Sequence, residues 1–329
     1  MGVMNLGEMM DRSIDILKKY VTTIIMFSIG YGVVMFLGLF ILMLVGGIFA
    51  AFAVGIFENI TFIIVMVIIL CVIVVAVSLT INIGVIKIAS QEFFEERIYA
   101  SAAVGASFKS IIKVLGITII ALIFMLPAIA VFSAIIYFLY KGFQSYAVLM
   151  DGNLAGIILF VIIYIVLVLS VLAVIIGYVT LFCFSLHALT IEKKGVISSV
   201  KRSFTLVKHN FWRVYVCLIL FGASIYAIQY SIMSFLGLVI SILFMILKAL
   251  NVEQSYGTFL AMAYTYSNLP FTLISWCIIS PVATIMISLL YYNQRFKKEG
   301  YDMVLRLKEI QKNQEREQLN DSIEFNKSL

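Results

Sequence analysis

The sequence predicts an all-α integral membrane protein with six transmembrane helices. Three observations predict this class: an apolar fraction of 63%, a charged fraction of only 12%, and six apolar stretches that are each long enough to cross a bilayer. Soluble domains are about 45–50% apolar and about 25% charged. A folded chain of 329 residues has too little interior to hide this much apolar surface from water. The composition therefore excludes a soluble enzyme, a nucleic-acid-binding module and a disordered scaffold.

The predicted crossings are six stretches that contain no Asp, Glu, Lys or Arg. They are residues 21–57, 60–86, 114–140, 154–191, 214–247 and 256–292. Each exceeds the roughly 20 residues that span a hydrocarbon core of about 30 Å, and none alternates like a strand of a membrane barrel. The first is so long that we expect a bend at Gly46-Gly47, with the remainder outside the hydrocarbon core.

The distribution of basic residues predicts the orientation. Of the 23 Lys and Arg residues, only Lys141 and Lys248 lie in the three loops that follow the first, third and fifth crossings. Cytoplasmic segments carry the excess of basic residues, so both termini are predicted to be cytoplasmic. The loop before the fifth crossing contributes most of the net charge of +6, and we expect it to contact anionic lipid headgroups. The candidate contacts are Lys193, Lys194, Lys201, Arg202, Lys208 and Arg213.

Similar amphipathic segments precede the first, third and fifth crossings. Each has apolar side chains at i, i+4, i+7 and i+11 and a serine directly before the second of them. The sets are Met10, Ile14, Leu17 and Val21 with Ser13; Val104, Phe108, Ile111 and Leu115 with Ser107; and Val200, Phe204, Val207 and Phe211 with Ser203. The pattern predicts a membrane domain at 1–292 with three repeat units at about 1–95, 96–191 and 192–292, followed by a charged cytoplasmic tail at 293–329. Each unit would consist of an amphipathic cytoplasmic helix followed by a helical hairpin. The alternative is that the three segments are alike by chance, because any interfacial helix that enters a membrane shows such a pattern.

Polar and proline positions inside the crossings are the candidate cavity or hinge residues. Gln229 lies in the middle of the fifth stretch, and an unsatisfied amide in lipid costs several kcal/mol. We expect its side chain to form a hydrogen bond with another helix or to line a water-filled transport path. Asn82 is interpreted in the same way. Asn268 and Pro270 predict a break between an outer piece and a spanning helix, and Pro281 predicts a kink.

No catalytic residue, metal ligand or cofactor is predicted. His187 and His209 have no acidic or cysteine cluster near them, and the four cysteines lie singly in apolar stretches. No nucleotide-binding, hydrolase or zinc-peptidase motif occurs. Glu92 and the acidic residues after it are interpreted as a solvated face. We expect no nucleic-acid partner, and no cleavable signal peptide because the first apolar stretch is too long for one.

Three segments resemble a known family. They are the opening from Leu6-Gly7-Glu8 to Lys19, the run from Thr190-Ile191-Glu192-Lys193-Lys194-Gly195 to Asn210-Phe211-Trp212-Arg213, and Leu289-Leu290-Tyr291-Tyr292-Asn293-Gln294-Arg295 with its continuation Lys297-Lys298-Glu299-Gly300-Tyr301-Asp302. Together they resemble the membrane domain of some glycerophosphoryl diester phosphodiesterases and of many stand-alone bacterial membrane proteins. In the fused members a separate soluble barrel performs hydrolysis. We expect no such barrel in this chain, so the resemblance implies a bacterial membrane location and no phosphodiesterase activity.

The predicted function is that of a multipass plasma membrane protein with a non-enzymatic supporting or regulatory role. It would act with membrane lipids and with a protein partner or as a homo-oligomer. Two alternatives stay open: a permease-like component of a lipid, peptide or small-molecule transporter, and a membrane-embedded enzyme that acts on lipids. A polar cavity reaching Gln229 and the Pro270 break would favour transport, and a polar cluster holding a lipid at the inner headgroup level would favour the enzyme. A tightly packed bundle would favour the supporting role.

Overall fold

The computed structural model describes residues 4–57, 60–94, 97–147, 154–250 and 255–300, and positions 303, 304, 307 and 314 of the tail. Its helices are α1 (Leu6–Phe57), α2 (Ile60–Phe94), α3 (Ala100–Ala147), α4 (Leu154–Phe182), α5 (Ser185–Ile191), α6 (Val196–Lys208), α7 (Phe211–Ala249) and α8 (Tyr256–Glu299). No strand occurs within these residues. The predicted all-α class is therefore confirmed.

Five of the described helices are long and apolar enough to cross a membrane. The candidate spans are Leu6–Phe49, Ile64–Phe93, Ala100–Gly142, Ile158–Ile191 and Phe211–Ala249. The predicted sixth crossing belongs to α8, where the side chains of residues 268–276 lie outside the described part of the chain. Five membrane-length helices are thus established from length and composition, and the sixth crossing stays a prediction.

The predicted break in the last apolar stretch is wrong. α8 runs without interruption from Tyr256 to Glu299, through Pro270 and Pro281. Proline is tolerated inside such apolar helices because neighbouring helices and hydroxyl side chains satisfy the carbonyl that it leaves without a donor. The helix begins after Ser255, whose side chain accepts a hydrogen bond from the Thr258 amide at 3.4 Å. α1 is likewise continuous through the glycine pair at 46–47, where a bend was expected.

The amphipathic segments differ from the prediction in two respects. In the first two predicted units they are not separate helices, because α1 and α3 continue from them directly into their apolar portions. Their buried faces are also displaced by one residue, since Ser13 and Ser107 are fully buried while Ile14 and Phe108 are 38% and 37% exposed. A serine is small enough to let a neighbouring helix approach closely, whereas the bulkier residue beside it fits better at the edge of the contact.

The packed core lies at one end of the bundle. It joins the first portions of α1, α3 and α7 to the last portions of α2, α4 and α8, with α5 and α6 between them. Tyr31, Phe184, Leu206 and Tyr291 are among its fully buried side chains. The most apolar windows of α1, α3 and α4, by contrast, contain no buried residue. The long apolar portions therefore extend from the packed end with their side chains exposed.

Contacts between distant residues bring the basic segments to this same end. The Met4 amide donates to the Asn293 side chain at 3.1 Å, which places the start of α1 against the end of α8. Lys19 of α1 forms an ion pair with Glu92 of α2 at 2.7 Å. This pair corrects the interpretation of Glu92 as part of a solvated face, whereas Glu95 and Glu96 lie outside the described residues.

Candidate functional site

The turn between α5 and α6, the body of α6 and the last turns of α8 meet around one carboxylate, that of Glu192. Its Oε2 lies 2.6 Å from Lys194 Nζ, and its Oε1 accepts a hydrogen bond from Arg202 Nε at 3.0 Å. The buried Tyr291 hydroxyl donates to Oε1, and Arg295 Nε lies 3.7 Å from the same oxygen. Two of the three segments that carry the family resemblance are therefore in direct contact here.

A second carboxylate, that of Glu299, closes the charge network. It forms ion pairs with Arg202 and with Arg295, the latter at 3.1 Å. We call the set of Glu192, Lys194, Arg202, Tyr291, Arg295 and Glu299 the Glu192 network. Positive and negative groups alternate through it, so each arginine is held between two carboxylates. This arrangement fixes the turn after α5 and the body of α6 to the end of α8.

The protonation of Glu192 follows from these contacts. Burial alone would raise the pKa of this carboxyl group, but the hydrogen bonds from Lys194, Tyr291 and Arg202 outweigh burial and lower the pKa to about 2. The Arg202 guanidinium loses hydration through burial, and Glu192 and Glu299 more than compensate by raising its pKa. Glu192 and Arg202 are therefore both charged across the physiological range.

The turn that presents Glu192 depends on an unusual backbone conformation. Lys193 has a φ of 52°, in the left-handed region, which costs a residue with a side chain about 1 kcal/mol. The following residue, Lys194, turns its amide back towards the Ala188 carbonyl at 3.5 Å, and Gly195 caps the start of α6. The chain reverses within these positions, and this reversal carries Arg202 back to Glu192.

A histidine and a serine lie beneath the network. His187 Nε2 is 3.0 Å from Ser288 Oγ, its Nδ1 is 3.2 Å from the Cys183 carbonyl oxygen, and its ring stacks on Tyr291. A serine beside a histidine is the start of a nucleophilic site. His187 and Ser288 are only 3% and 2% exposed, however, so a substrate has no access to them as they stand. The pair packs α5 against α8.

The predicted lipid contacts divide into two groups. Lys194 and Arg202 are neutralised by the carboxylates of the Glu192 network. Lys193, Lys201, Lys208 and Arg213 are exposed, and no ion pair is described for them within the residues that the structure covers. Only the second group presents uncompensated positive charge to an anionic surface.

A groove of about 960 Å³ lies beside α6 and contains two of these exposed lysines. We call it the basic groove, and it is lined by Leu181, Lys201, Phe204, Thr205, Lys208, His209, Asn210, Phe211 and Lys298. Lys298 reaches it from α8 and donates to the carbonyl oxygens of Thr205 at 3.1 Å and Leu206 at 2.7 Å. Burial lowers the pKa of Lys298. An anion in the groove would therefore find three ammonium groups converging from two helices.

Two of the predicted cavity and hinge residues have described side chains, and these two differ in exposure. Gln229 is exposed on α7, while Pro281 is buried in α8. Asn268 and Pro270 belong to α8, but their side chains lie outside the described part. Asn82 does bond across helices, because its Oδ1 accepts the Thr284 hydroxyl at 2.8 Å. The interhelical interpretation is therefore confirmed for Asn82 and not for Gln229.

Several residues of this end were missed in the sequence. Ser288 and Tyr291 lie inside the sixth apolar stretch and were interpreted as part of a crossing, whereas Asn293 was assigned to the charged tail. A polar run that follows apolar residues at a membrane boundary is the signal that would have pointed to them. Metal coordination is not indicated, since no cluster of three or more His, Cys, Asp or Glu occurs among the described residues.

Comparisons with known proteins identify no relative: no family model, curated protein or solved structure matches the chain.

Proposed function

We propose that the chain is a plasma membrane protein with six crossings, that its termini are cytoplasmic, and that its role is non-enzymatic support or regulation of a membrane process. The observation that carries this proposal is the division of the molecule into two parts. The packed core, the Glu192 network and the exposed lysines share one end, while the apolar helices extend from it exposed. A rigid cytoplasmic platform held by lipid-facing helices suits a supporting role.

The concentration of basic side chains at the packed end supports a cytoplasmic position for that end. Lys19, Arg202 and Lys298 all contribute contacts there. Lys141 and Lys248 belong to the opposite ends of α3 and α7. The contact between Met4 and Asn293 supports a position of the start of α1 and the end of α8 on one side of the membrane. That position would give an even number of crossings, with α8 as the sixth.

Three repeat units form part of this proposal. Ser13, Ser107 and Ser203 each stand at the start of a unit, and all three are fully buried. Equivalent burial of equivalent serines supports an origin of the three units from one hairpin-bearing segment. The likeness to the membrane domain of glycerophosphoryl diester phosphodiesterases stays a prediction, and it rests on the segments that meet at Glu192.

The ionisable groups at the packed end favour a supporting role over the two alternatives. Glu192, Arg202 and Glu299 are bound to one another, and acid–base catalysis would require one of them to be released. Transport was expected to depend on a cavity at Gln229 and a break at Pro270, but Gln229 is exposed and α8 is continuous. The lipid-acting enzyme retains one supporting observation, the basic groove beside the ends of two apolar helices.

The membrane arrangement is tested with single cysteines in a chain whose four native cysteines are replaced by serine or alanine. Lys248→Cys should react with a membrane-impermeant maleimide on intact cells, whereas Lys18→Cys, Lys201→Cys and Lys297→Cys should react only after permeabilisation. Labelling of position 297 from outside would indicate five crossings. Labelling of position 201 from outside would reverse the orientation.

The role is tested on the intact chain purified in mild detergent and reconstituted into phospholipid vesicles. We expect a stoichiometric protein partner or a defined homo-oligomer on purification. We expect unchanged phospholipids in the vesicles, measured by mass spectrometry. Release of headgroups or fatty acids that depends on the protein would replace the supporting role with the lipid-acting enzyme.

A further inference from the structure

The basic groove gathers positive charge that no described carboxylate balances. Among the described residues, its lining includes three lysines and no carboxylate. On the same helix, one residue away from Lys201, Arg202 turns to the opposite side and is held between Glu192 and Glu299. Glu192 and Glu299 thus compensate Arg202 and Arg295, and the positive charge of the groove is left for a ligand.

The lysines are arranged to converge. Lys201, Thr205 and Lys208 are spaced i, i+4 and i+7, so they share one face of α6 along about 10 Å of its axis. Lys298 faces them from α8, because its ammonium group is held at the carbonyl oxygens of Thr205 and Leu206. An ammonium group has three donors, and these two bonds leave the third for another acceptor. Together the lysines match a compact, multiply accepting anion such as phosphate.

The floor of the groove is apolar and continuous with membrane-length helices. Leu181 belongs to the candidate span Ile158–Ile191, and Phe211 is the first residue of the candidate span Phe211–Ala249. Phe204 packs edge-to-face on Phe182, the last residue of α4, with ring centroids 5.3 Å apart. The lysines therefore lie directly beside an apolar surface. The lysines could bind the charged headgroup of a lipid, and the apolar surface could contact its acyl chain.

We propose that the basic groove binds the phosphate headgroup of one anionic phospholipid of the inner leaflet. Lys201, Lys208 and Lys298 contact the phosphate group. One acyl chain lies along Phe204, Leu181 and Phe211. The assignment rests on the proposed function only for the leaflet, because the binding chemistry is present whichever side the groove faces. A soluble phosphate compound would use the same lysines but not the apolar floor.

The proposal is tested by native mass spectrometry of the full chain in detergent, titrated with phosphatidylglycerol or phosphatidylcholine. We expect one tightly held phosphatidylglycerol, and weaker binding of phosphatidylcholine. The double variant Lys201→Gln, Lys208→Gln should weaken phosphatidylglycerol binding about tenfold or more. The matched control is Lys109→Gln, Lys113→Gln, which removes two exposed lysines from α3 at the same end of the bundle and should change binding less than about twofold.

A second variant changes the shape of the basic groove and leaves its charge unchanged. Thr205→Trp places a large ring in the groove and keeps all three lysines, and it should exclude the lipid while thermal unfolding shows that the fold is intact. If the two double variants lose the same affinity for phosphatidylglycerol, the lipid is attracted diffusely by the basic surface and not by a defined site. That result would overturn the proposal. Binding of glycerol phosphate or inorganic phosphate as tight as that of the lipid would overturn the choice of a lipid.

The lipid titration and the cysteine-labelling test of the proposed function can succeed or fail independently. Cysteine labelling could place position 201 outside the cell while the detergent titration still shows one bound lipid that the double variant Lys201→Gln, Lys208→Gln loses. The proposed orientation would then be wrong, and the lipid site in the basic groove would be supported. If labelling gives the expected topology and the titration shows no selective lipid, the groove assignment fails alone.

Discussion

The Asn293 side chain pairs with both backbone groups of Met4. Its amide nitrogen donates to the Met4 carbonyl oxygen at 3.0 Å, and its carbonyl oxygen accepts the Met4 amide at 3.1 Å. The two residues are 289 positions apart and are 2% and 8% exposed. A single side chain at the end of α8 therefore satisfies the backbone immediately before α1 and fixes the start of the chain to the last helix.

Asn293→Ala should release this attachment. The substitution leaves a buried amide and a buried carbonyl of Met4 without their partner, and each unsatisfied group costs about 1–3 kcal/mol. We expect a lower thermal unfolding temperature in detergent and faster proteolysis near the start of α1. Gln229→Ala removes an amide from an exposed position of α7 and should leave both measurements near those of the parent chain. Unchanged stability of Asn293→Ala would mean that the pair does not hold the ends together.

Glu192→Gln should make the packed end less stable at neutral pH and less sensitive to acid. The hydrogen bonds of the network lower the pKa of Glu192 from 4.5 to about 2 on folding. A carboxyl group with a lowered pKa stabilises the folded state above its unfolded pKa, and this stabilisation is lost as the pH falls from about 4.5 towards 2. The parent chain should therefore lose stability in that window through this group, and the glutamine variant should lack that part of the loss.

The measurement is thermal unfolding in detergent at several pH values between neutrality and about pH 2. Asp15→Asn, which neutralises an exposed carboxylate of α1, serves as the control and should keep the acid-dependent loss. An acid profile of Glu192→Gln that parallels the parent chain would show that the network does not depend on the ionised carboxylate.

The sequence predicted the helices well because hydrophobic length is a local property. The stretch at 154–191 and the helices α4 and α5 nearly coincide. The break at Pro270 was wrong because a proline signal reports only the missing donor, whereas neighbours in a bundle decide whether the helix continues. The displaced faces of α1 and α3 have a related cause. Ranking residues by hydrophobicity favoured Ile14 over Ser13, but close approach between helices favours the smaller side chain.

The site was predictable in composition and not in arrangement. The basic loop was evident, and Lys201 and Lys208 were among its named contacts. Adjacent residues of a helix point about 100° apart, so Lys201 faces the groove while Arg202 faces Glu299. That distinction depends on a carboxylate 97 positions further along the chain. The contribution of Lys298 is equally non-local, because α8 must first be packed against α6.

Gly84→Ala should destabilise the contact between α1 and α2. A Cβ at this position would overlap the ring of Phe27, which is fully buried and stacked on Tyr31 with centroids 5.6 Å apart. Overpacking of this kind costs about 1–3 kcal/mol. We expect a lower thermal unfolding temperature, and partial recovery when Phe27→Leu is added to make room. Gly30→Ala is the matched control, since nothing lies within 4 Å of a Cβ there, and a loss equal to that of Gly84→Ala would contradict the steric cause.

Ser203 and Ser107, which occupy matching positions in the proposed repeat, should respond differently to alanine. Ser203 donates to the Leu181 carbonyl oxygen at 2.6 Å and accepts the Phe184 amide at 3.2 Å, so Ser203→Ala leaves two buried backbone groups unsatisfied. The buried Ser107 hydroxyl has no hydrogen-bond partner among the described residues, so Ser107→Ala removes a desolvated group and should be neutral or stabilising. We expect Ser203→Ala to cost about 1–3 kcal/mol in the free energy of unfolding. Equal losses at both positions would indicate that the hydroxyl of Ser107 is satisfied and that the two serines share one structural role.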